Sequence, residues 1–182
     1  MGAATEEAPG TMSVESKGEF KRFSMADVSA KAVTHRKALA SGRIYLGEEA
    51  FGHVEAGTLP KGDALALAEV AGILGAKQTP GLLPLCHPVA LGRVEIRSVL
   101  RPAEHAVEIL SLAEIDERTG VEMEALCGLS IALMTVWDLA KPVNPALEIG
   151  AVRLLYKSGG KRGTWRNPGG LPPEAEAMLG ES

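Results

Sequence analysis

Between Gly120 and Pro142 the chain reads GVEMEALCGLSIALMTVWDLAKP, with no proline and no turn signal until its end. Leu126, Leu129, Leu133, Val136 and Ala140 recur at three- and four-residue spacing, which predicts a helix with one face buried. The opposite face, Cys127, Ile131 and Met134, is apolar too, and Asp138 shares it. A helix apolar all round requires cover on more than one side. Four charged residues interrupt it: Glu122 and Glu124 at the start, Asp138 and Lys141 at the end. An unpaired buried carboxylate costs several kcal/mol, so a charge set there is either partnered in a protein interface or exposed in a cleft. Asp138 and Lys141 are three apart and can reach each other. A plain helix-end ion pair accounts for Lys141, which suits the negative C-terminal dipole ahead of the helix-stopping Pro142. It accounts poorly for Asp138, whose charge opposes that dipole. Glu122 and Glu124 either lie on one face of a strand feeding the helix or, if already helical, complement its N-terminus.

Composition narrows what surrounds this helix. The chain has 182 residues, 46% hydrophobic and 23% charged, enough for one domain with a real core. No stretch of transmembrane length is free of charge, and the acidic start MGAATEEAPGTMSVESKGEF has no apolar signal core, so a soluble, cytoplasmic protein without membrane contact is expected. Cys86 and Cys127 are the only cysteines and neither forms a CxxC, which gives no support to a disulfide framework, an iron–sulfur cluster or a zinc site. A net charge of −4 and 4% aromatics disfavour nucleic acid as a partner. An anionic ligand must therefore be held by a local cluster of cations.

Along the chain, residues 1–20 mix Ala, Glu, Ser and Gly without period, and residues 164–182 are rich in Pro and Gly; both are expected to be flexible tails around a single domain over 21–163. THRKALASGRIYL reads as a strand, with Thr34, Arg36, Ala38 and Ala40 on one side. EEAFGHVEAG reads as a short helix closed by Gly57, and ALALAEVAGILGAKQ, after the turn TLPKGD, as a helix packed on more than one side. GRVEIRSVL and HAVEILSLAEI alternate and are joined by RPAE, an antiparallel hairpin. After the long helix, EIGAVRLLYKSGGKRG gives a last strand ending in a basic, glycine-rich loop.

Two connections carry chemistry. In LPLCHPVALGRVEI, His87 sits between Cys86 and Pro88 on a rigid approach to a strand, where a ring can be aimed, although a lone histidine is more often structural. YKSGGKRG offers backbone amides beside Lys157, Lys161 and Arg162, a cradle for phosphate without the spacing of a P-loop; a solvated basic turn is the blander account.

Taken in order, DVSAK (Asp27 to Lys31), Arg36, KGD (Lys61 to Asp63), LCHP (Leu85 to Pro88), GVEMEAL (Gly120 to Leu126), the T-x-x-D-x-x-K of Thr135, Asp138 and Lys141, and KSGGK (Lys157 to Lys161) resemble the molybdenum cofactor biosynthesis protein C family, the cyclic pyranopterin monophosphate synthases. The resemblance covers about residues 23 to 163. It departs at Trp137-Asp138-Leu139, where the family pattern has a Tyr-Asp-Met type sequence, and at Arg162, where the basic loop usually has Ser.

The resemblance implies an α+β, ferredoxin-like subunit with an antiparallel sheet and packed helices, assembled as a homohexamer, a trimer of dimers, with sites across the dimer interface. It implies a lyase that converts 3',8-cyclo-7,8-dihydroguanosine triphosphate into cyclic pyranopterin monophosphate and diphosphate, with no resident cofactor or metal and a divalent ion accompanying the triphosphate left open. Rebuilding a purine as a pterin needs proton transfers at several nitrogens. Lys61 and Lys141 are then candidate acids or bases, Asp138 the group that orients Lys141, and His87 a phosphate contact or proton relay. Arg36, Lys157 and Lys161 would gather the triphosphate, Glu124 and Glu122 would accept from the guanine N–H edge, and Cys86 and Met123 would line the substrate site. A nucleotide holder without chemistry would need the cations but not Lys61, and a purely structural oligomer would explain the helix but not the ordered ionisable motifs.

Overall fold

The computed structural model describes residues 23–180; the expected N-terminal tail, residues 1–20, lies outside them. The long apolar segment is a helix, α4 (Glu122–Ala140). It packs across a five-stranded sheet made of β1 (Thr34–Tyr45), β2 (Arg93–Arg101), β3 (Ala106–Glu117), β4 (Glu148–Ser158) and the two-residue β5 (Trp165–Arg166). The spatial order is β2-β3-β1-β4-β5, antiparallel throughout. Between β1 and β2 lie α1 (Glu48–Glu55), α2 (Ala64–Lys77) and the single turn α3 (Thr79–Leu82). The first four strands and their helices thus form two interleaved split β-α-β units, an α+β arrangement of the ferredoxin-like type.

The hairpin expected at RPAE is present. Pro102–Glu104 form a 3-10 turn and His105 takes a left-handed conformation, φ 46, so that Arg101 pairs with Ala106 and the register runs on to Arg93 opposite Glu114. Alternation then sorts the side chains of the sheet. Ala38, Ala40, Val107, Ile109 and Ala113 face the helices, while Leu39, Leu110, Leu112 and Leu155 face the other way. Both faces are covered, and β3 is buried over ten successive positions from Ala106 to Ile115.

Helix α2 starts where Asp63 accepts hydrogen bonds from Leu65 N and Ala66 N, each at 3.0 Å. It crosses α4 at glycines. A Cβ on Gly72 would come 3.0 Å from the Gly128 carbonyl and 2.8 Å from Ile96, and one on Gly75 2.7 Å from Ile131. Among the described residues α2 is covered on that side; Leu67, Val70 and Leu74 on its outer side are exposed, as is Met134 on α4. By length and composition α4 could cross a bilayer, but half of it is buried in this domain.

The expectation of a flexible tail from residue 164 is corrected. Trp165 and Arg166 pair with Lys157 and Tyr156 as an additional edge strand. A further helix, α5 (Pro173–Gly180), buries Ala175 and Met178 completely against Leu39, Leu110, Leu112 and Leu155. Proline and glycine around a short amphipathic turn gave no local signal of it; its order comes from docking on the apolar back of the sheet.

Candidate active site

The first turn of α4, the ends of β1 and β4 and the loop after β4 converge at one end of the sheet. Glu122 is helical, in the first turn, without a side-chain cap ahead of it. Its Oε1 accepts from Lys157 Nζ at 2.7 Å, which ties the helix start to the end of β4. Arg36, leaving β1, donates through Nε to the Glu117 carbonyl at 3.2 Å and through Nη2 to that of Arg118 at 3.4 Å. Two glycines of KSGGK pack on this side chain and the backbone before it. Gly159 and Gly160 have φ +92 and +72, and a Cβ would fall on the His35 carbonyl at the first and on the Arg36 guanidinium at the second. Glycine is therefore required at both positions.

These groups enclose a cavity of about 570 Å³ whose wall includes Lys31, Arg36, Arg118, Lys157, Lys161 and Arg162, with Glu122 the one acid among its described lining residues. On a net acidic chain this is the local cation cluster that an anionic ligand demands. A second cavity of about 390 Å³ shares Lys31, Thr119, Gly120 and Glu122 with the first, and adds Cys86, His87, Met123 and Glu124. His87 Nε2 lies 2.8 Å from the Ala26 carbonyl. A carbonyl only accepts, so Nε2 carries the proton and Nδ1 is left to accept one.

The carboxyl groups here are tuned apart. Burial pushes Glu122 up, but the Lys157 hydrogen bond, its own backbone N–H and the charges of Lys157 and Arg36 outweigh it and hold it below the usual range. Glu124, 3% exposed, is raised by burial and secondarily by Glu122, against a bond from its own backbone N–H. Burial, then Glu124 and Cys127, also raise the Cys86 thiol, which keeps it protonated and unreactive.

A separate constellation stands at the other end of α4. Lys61 Nζ donates to Asp138 Oδ2 at 2.8 Å and to the Asp138 carbonyl at 3.0 Å, while Lys141 Nζ is 2.7 Å from Asp138 Oδ1. Hydrogen bonds from Lys141 and then Lys61 lower the Asp138 carboxyl to about 2. All three side chains are about half exposed. Asp138 lies sixteen helical steps from Glu122, roughly 24 Å at about 1.5 Å each. Within one chain the structure therefore brings Arg36, Cys86, His87, Glu122, Met123, Glu124, Lys157 and Lys161 together, and leaves Lys61, Asp138 and Lys141 as a second group.

A model of the MoaC family matches residues 25–160. The chain belongs to that family. Relatives named cyclic pyranopterin monophosphate synthase include one from Streptomyces griseus, 48% identical over 151 residues, 83% of this chain and 84% of the relative. One from Chloroflexus aurantiacus is 44% identical over 144 residues, 79% of this chain and 88% of the relative. Another, from a Roseiflexus species, is 43% identical over 149 residues, 82% and 94%. The MoaC match takes in Lys61, Asp138 and Lys141 and most of the cavity wall but stops at Gly160, inside the glycine loop, so Lys161, Arg162, β5 and α5 lie beyond it. Two wall residues of this MoaC chain escaped the reading of the sequence. Lys31 stood in the DVSAK motif without a role, and Arg118, in the turn before α4, carried no local signal because only the fold sets it beside Arg36.

Proposed function

We propose that this chain is a cyclic pyranopterin monophosphate synthase, a lyase of molybdenum cofactor biosynthesis that converts 3',8-cyclo-7,8-dihydroguanosine triphosphate to cyclic pyranopterin monophosphate and diphosphate. The observation that carries this reading is the pair of adjoining cavities at the start of α4, which share lining residues, one walled by six cations and the other by Glu124 and His87. A triphosphate, with about three to four negative charges, is matched by the first. The second offers a raised carboxyl, a histidine with Nδ1 available and the apolar Met123 to a flat, nitrogen-rich ring.

In this reading Arg36, Lys157 and Lys161 bind the phosphates, Glu122 orients Lys157, and Glu124 accepts from or donates to the guanine edge according to its protonation. Lys61, Asp138 and Lys141 are the acid–base group that moves protons at the ring nitrogens during rearrangement. Their distance from the cavities on one chain supports a site completed by a neighbouring subunit, in a homohexamer built as a trimer of dimers. The exposed ridge of Leu67, Val70, Leu74 and Met134 supplies apolar surface for such an interface. The reading calls for a soluble, cytoplasmic enzyme without a resident cofactor, any divalent ion entering with the phosphates of the substrate.

The test is incubation of the protein with the cyclised GTP derivative while diphosphate and an oxidisable pterin are followed. Both products should appear in equal amounts. Tight binding without diphosphate release would make the chain a nucleotide holder and overturn the proposal.

A further inference from the structure

The loop that brings Lys161 and Arg162 to the anion cavity is held at both ends, and its second anchor lies outside the family match. Lys157 pairs with Trp165, so residues 158–164 form a hairpin loop. Three glycines in it, Gly159, Gly160 and Gly163, have positive φ. A segment of this composition is costly to order on binding unless the fold orders it beforehand.

The first limb is secured by β1, where Ser158 pairs with Lys37. The second is secured at a β-bulge. The pairing of β1 with β4 shifts between Leu39 opposite Tyr156 and Ala40 opposite Leu154, which leaves Leu155 as the extra residue. Asn167 takes up both carbonyls there: its backbone N–H donates to Leu155 O at 2.8 Å and its Nδ2 to Leu154 O at 2.8 Å, while its Oδ1 accepts from Gly169 N at 2.9 Å. Arg166 lies 5.4 Å over the Tyr156 ring and donates to Glu176 of α5 at 2.6 Å. Helix α5 is in turn fixed to the sheet by Met178 and by Glu174, which accepts from Arg101 at 2.7 and 3.1 Å. Arg101 also donates to the buried Glu108 at 2.9 Å. The chain of contacts runs unbroken from the centre of the sheet to the loop.

We infer that residues 164–180 are a clamp that sets the anion-receiving shape of the glycine loop, with Asn167 and Arg166 as positioning residues for Lys157, Lys161 and Arg162. The inference rests on the proposed phosphate site. The clamp touches no reacting atom; it acts by removing conformations of the empty loop that cannot take phosphate, and so it governs affinity rather than the chemical step.

Inorganic diphosphate, titrated into the protein by calorimetry, isolates this effect, with steady-state kinetics on the cyclised GTP derivative alongside. Asn167→Ala should weaken diphosphate binding and raise KM by roughly three- to tenfold, with kcat within about twofold of the parent. Arg166→Gln and Glu176→Gln break the same ion pair but change net charge in opposite directions. The clamp requires both to weaken binding, by about twofold or more, and the exchanged pair Arg166→Glu with Glu176→Arg to restore it. If the two single variants instead shift affinity in opposite directions, the effect is long-range charge and the clamp is overturned. Equal affinities in parent and all variants overturn it too, leaving the proposed function standing. Failure of the parent protein to bind diphosphate removes the phosphate site and the clamp together.

Discussion

Glu122 and Glu124 stand two residues apart at the start of one helix, and their environments drive them in opposite directions. Lys157 and Arg36 keep Glu122 ionised despite burial, so the tie it makes to β4 stabilises the fold above its unfolded pKa and is lost as pH falls. For Glu124 the sign reverses. Its folded pKa lies above the ordinary 4.5, so the buried group favours the protonated state and reduces stability as pH rises through that raised value. Glu124→Gln is therefore expected to melt higher than the parent at neutral pH, the difference closing in acid below pH 4.5, while turnover falls by about a hundredfold. Thermal melts from acid to neutral pH with single-turnover rates check this; identical melts at neutral pH would remove the burial argument. At the other helix end, Asp138, lowered to about 2, remains ionised across any working pH and holds two ammonium groups in place. If Lys61, Asp138 and Lys141 act as one unit, Asp138→Asn, Lys141→Ala and the double variant should lose activity by about the same large factor, read in single-turnover kinetics. Normal rates would return the helix-end ion pair to a purely structural role.

At the scale of elements, glycine decides two features. The crossing of α2 on α4 depends on Gly72, where Cβ would meet Ile96 and the Gly128 carbonyl. Gly72→Ala should force the helices apart and cost about 1–3 kcal/mol in urea unfolding, since backbone on the far side cannot rotate away. Gly160→Ala meets both positive φ and the Arg36 guanidinium, so it should abolish diphosphate binding as well as destabilise the loop. The periodic elements were legible because side-chain period and burial agree along them: the hairpin about RPAE, the strand at THRKALASGRIYL and α4 all fall where their patterns place them. The helix α5 was not legible. Eight residues are too few to hold a helix by themselves, and what holds this one is Met178 set among leucines from three strands distant in sequence.

The whole molecule presents an unevenly finished surface. Val70 and Leu74 on α2 and Met134 on α4 are exposed large apolar side chains, whereas the back of the sheet is closed by α5. Val70→Asp changes a side chain 66% exposed in the single chain and should leave the fold intact. If the proposed hexamer forms through this ridge, the variant should sediment at a lower mass than the parent and lose activity in parallel. A parent protein that sediments as a monomer at micromolar concentration would remove the shared site. A stricter check mixes Lys141→Ala with Lys157→Ala subunits after dissociation. Neither homogeneous assembly should turn over substrate, and the mixture should recover activity if one subunit's helix end completes another's cavity; no recovery would confine each site to one chain.

The sequence by itself determined the four long strands, the main helices, the glycine-dependent loop and the family, because each is written in local period or in residues whose types and order are specific in combination. It also named most of the ionisable groups. Their grouping was decided only by the tertiary structure. Motifs adjacent in a reading of the chain, GVEMEAL and T-x-x-D-x-x-K, are carried to opposite ends of a rigid helix that rises about 1.5 Å per residue. Lys61, remote in sequence, is brought to within hydrogen-bond reach of Asp138. Arg118 and Lys31 became part of the cation wall, and residues 164–180 became a docked strand and helix, through contacts between segments far apart in the chain. Local patterns fix backbone shape; which surfaces then meet depends on burial and close packing summed over the whole fold.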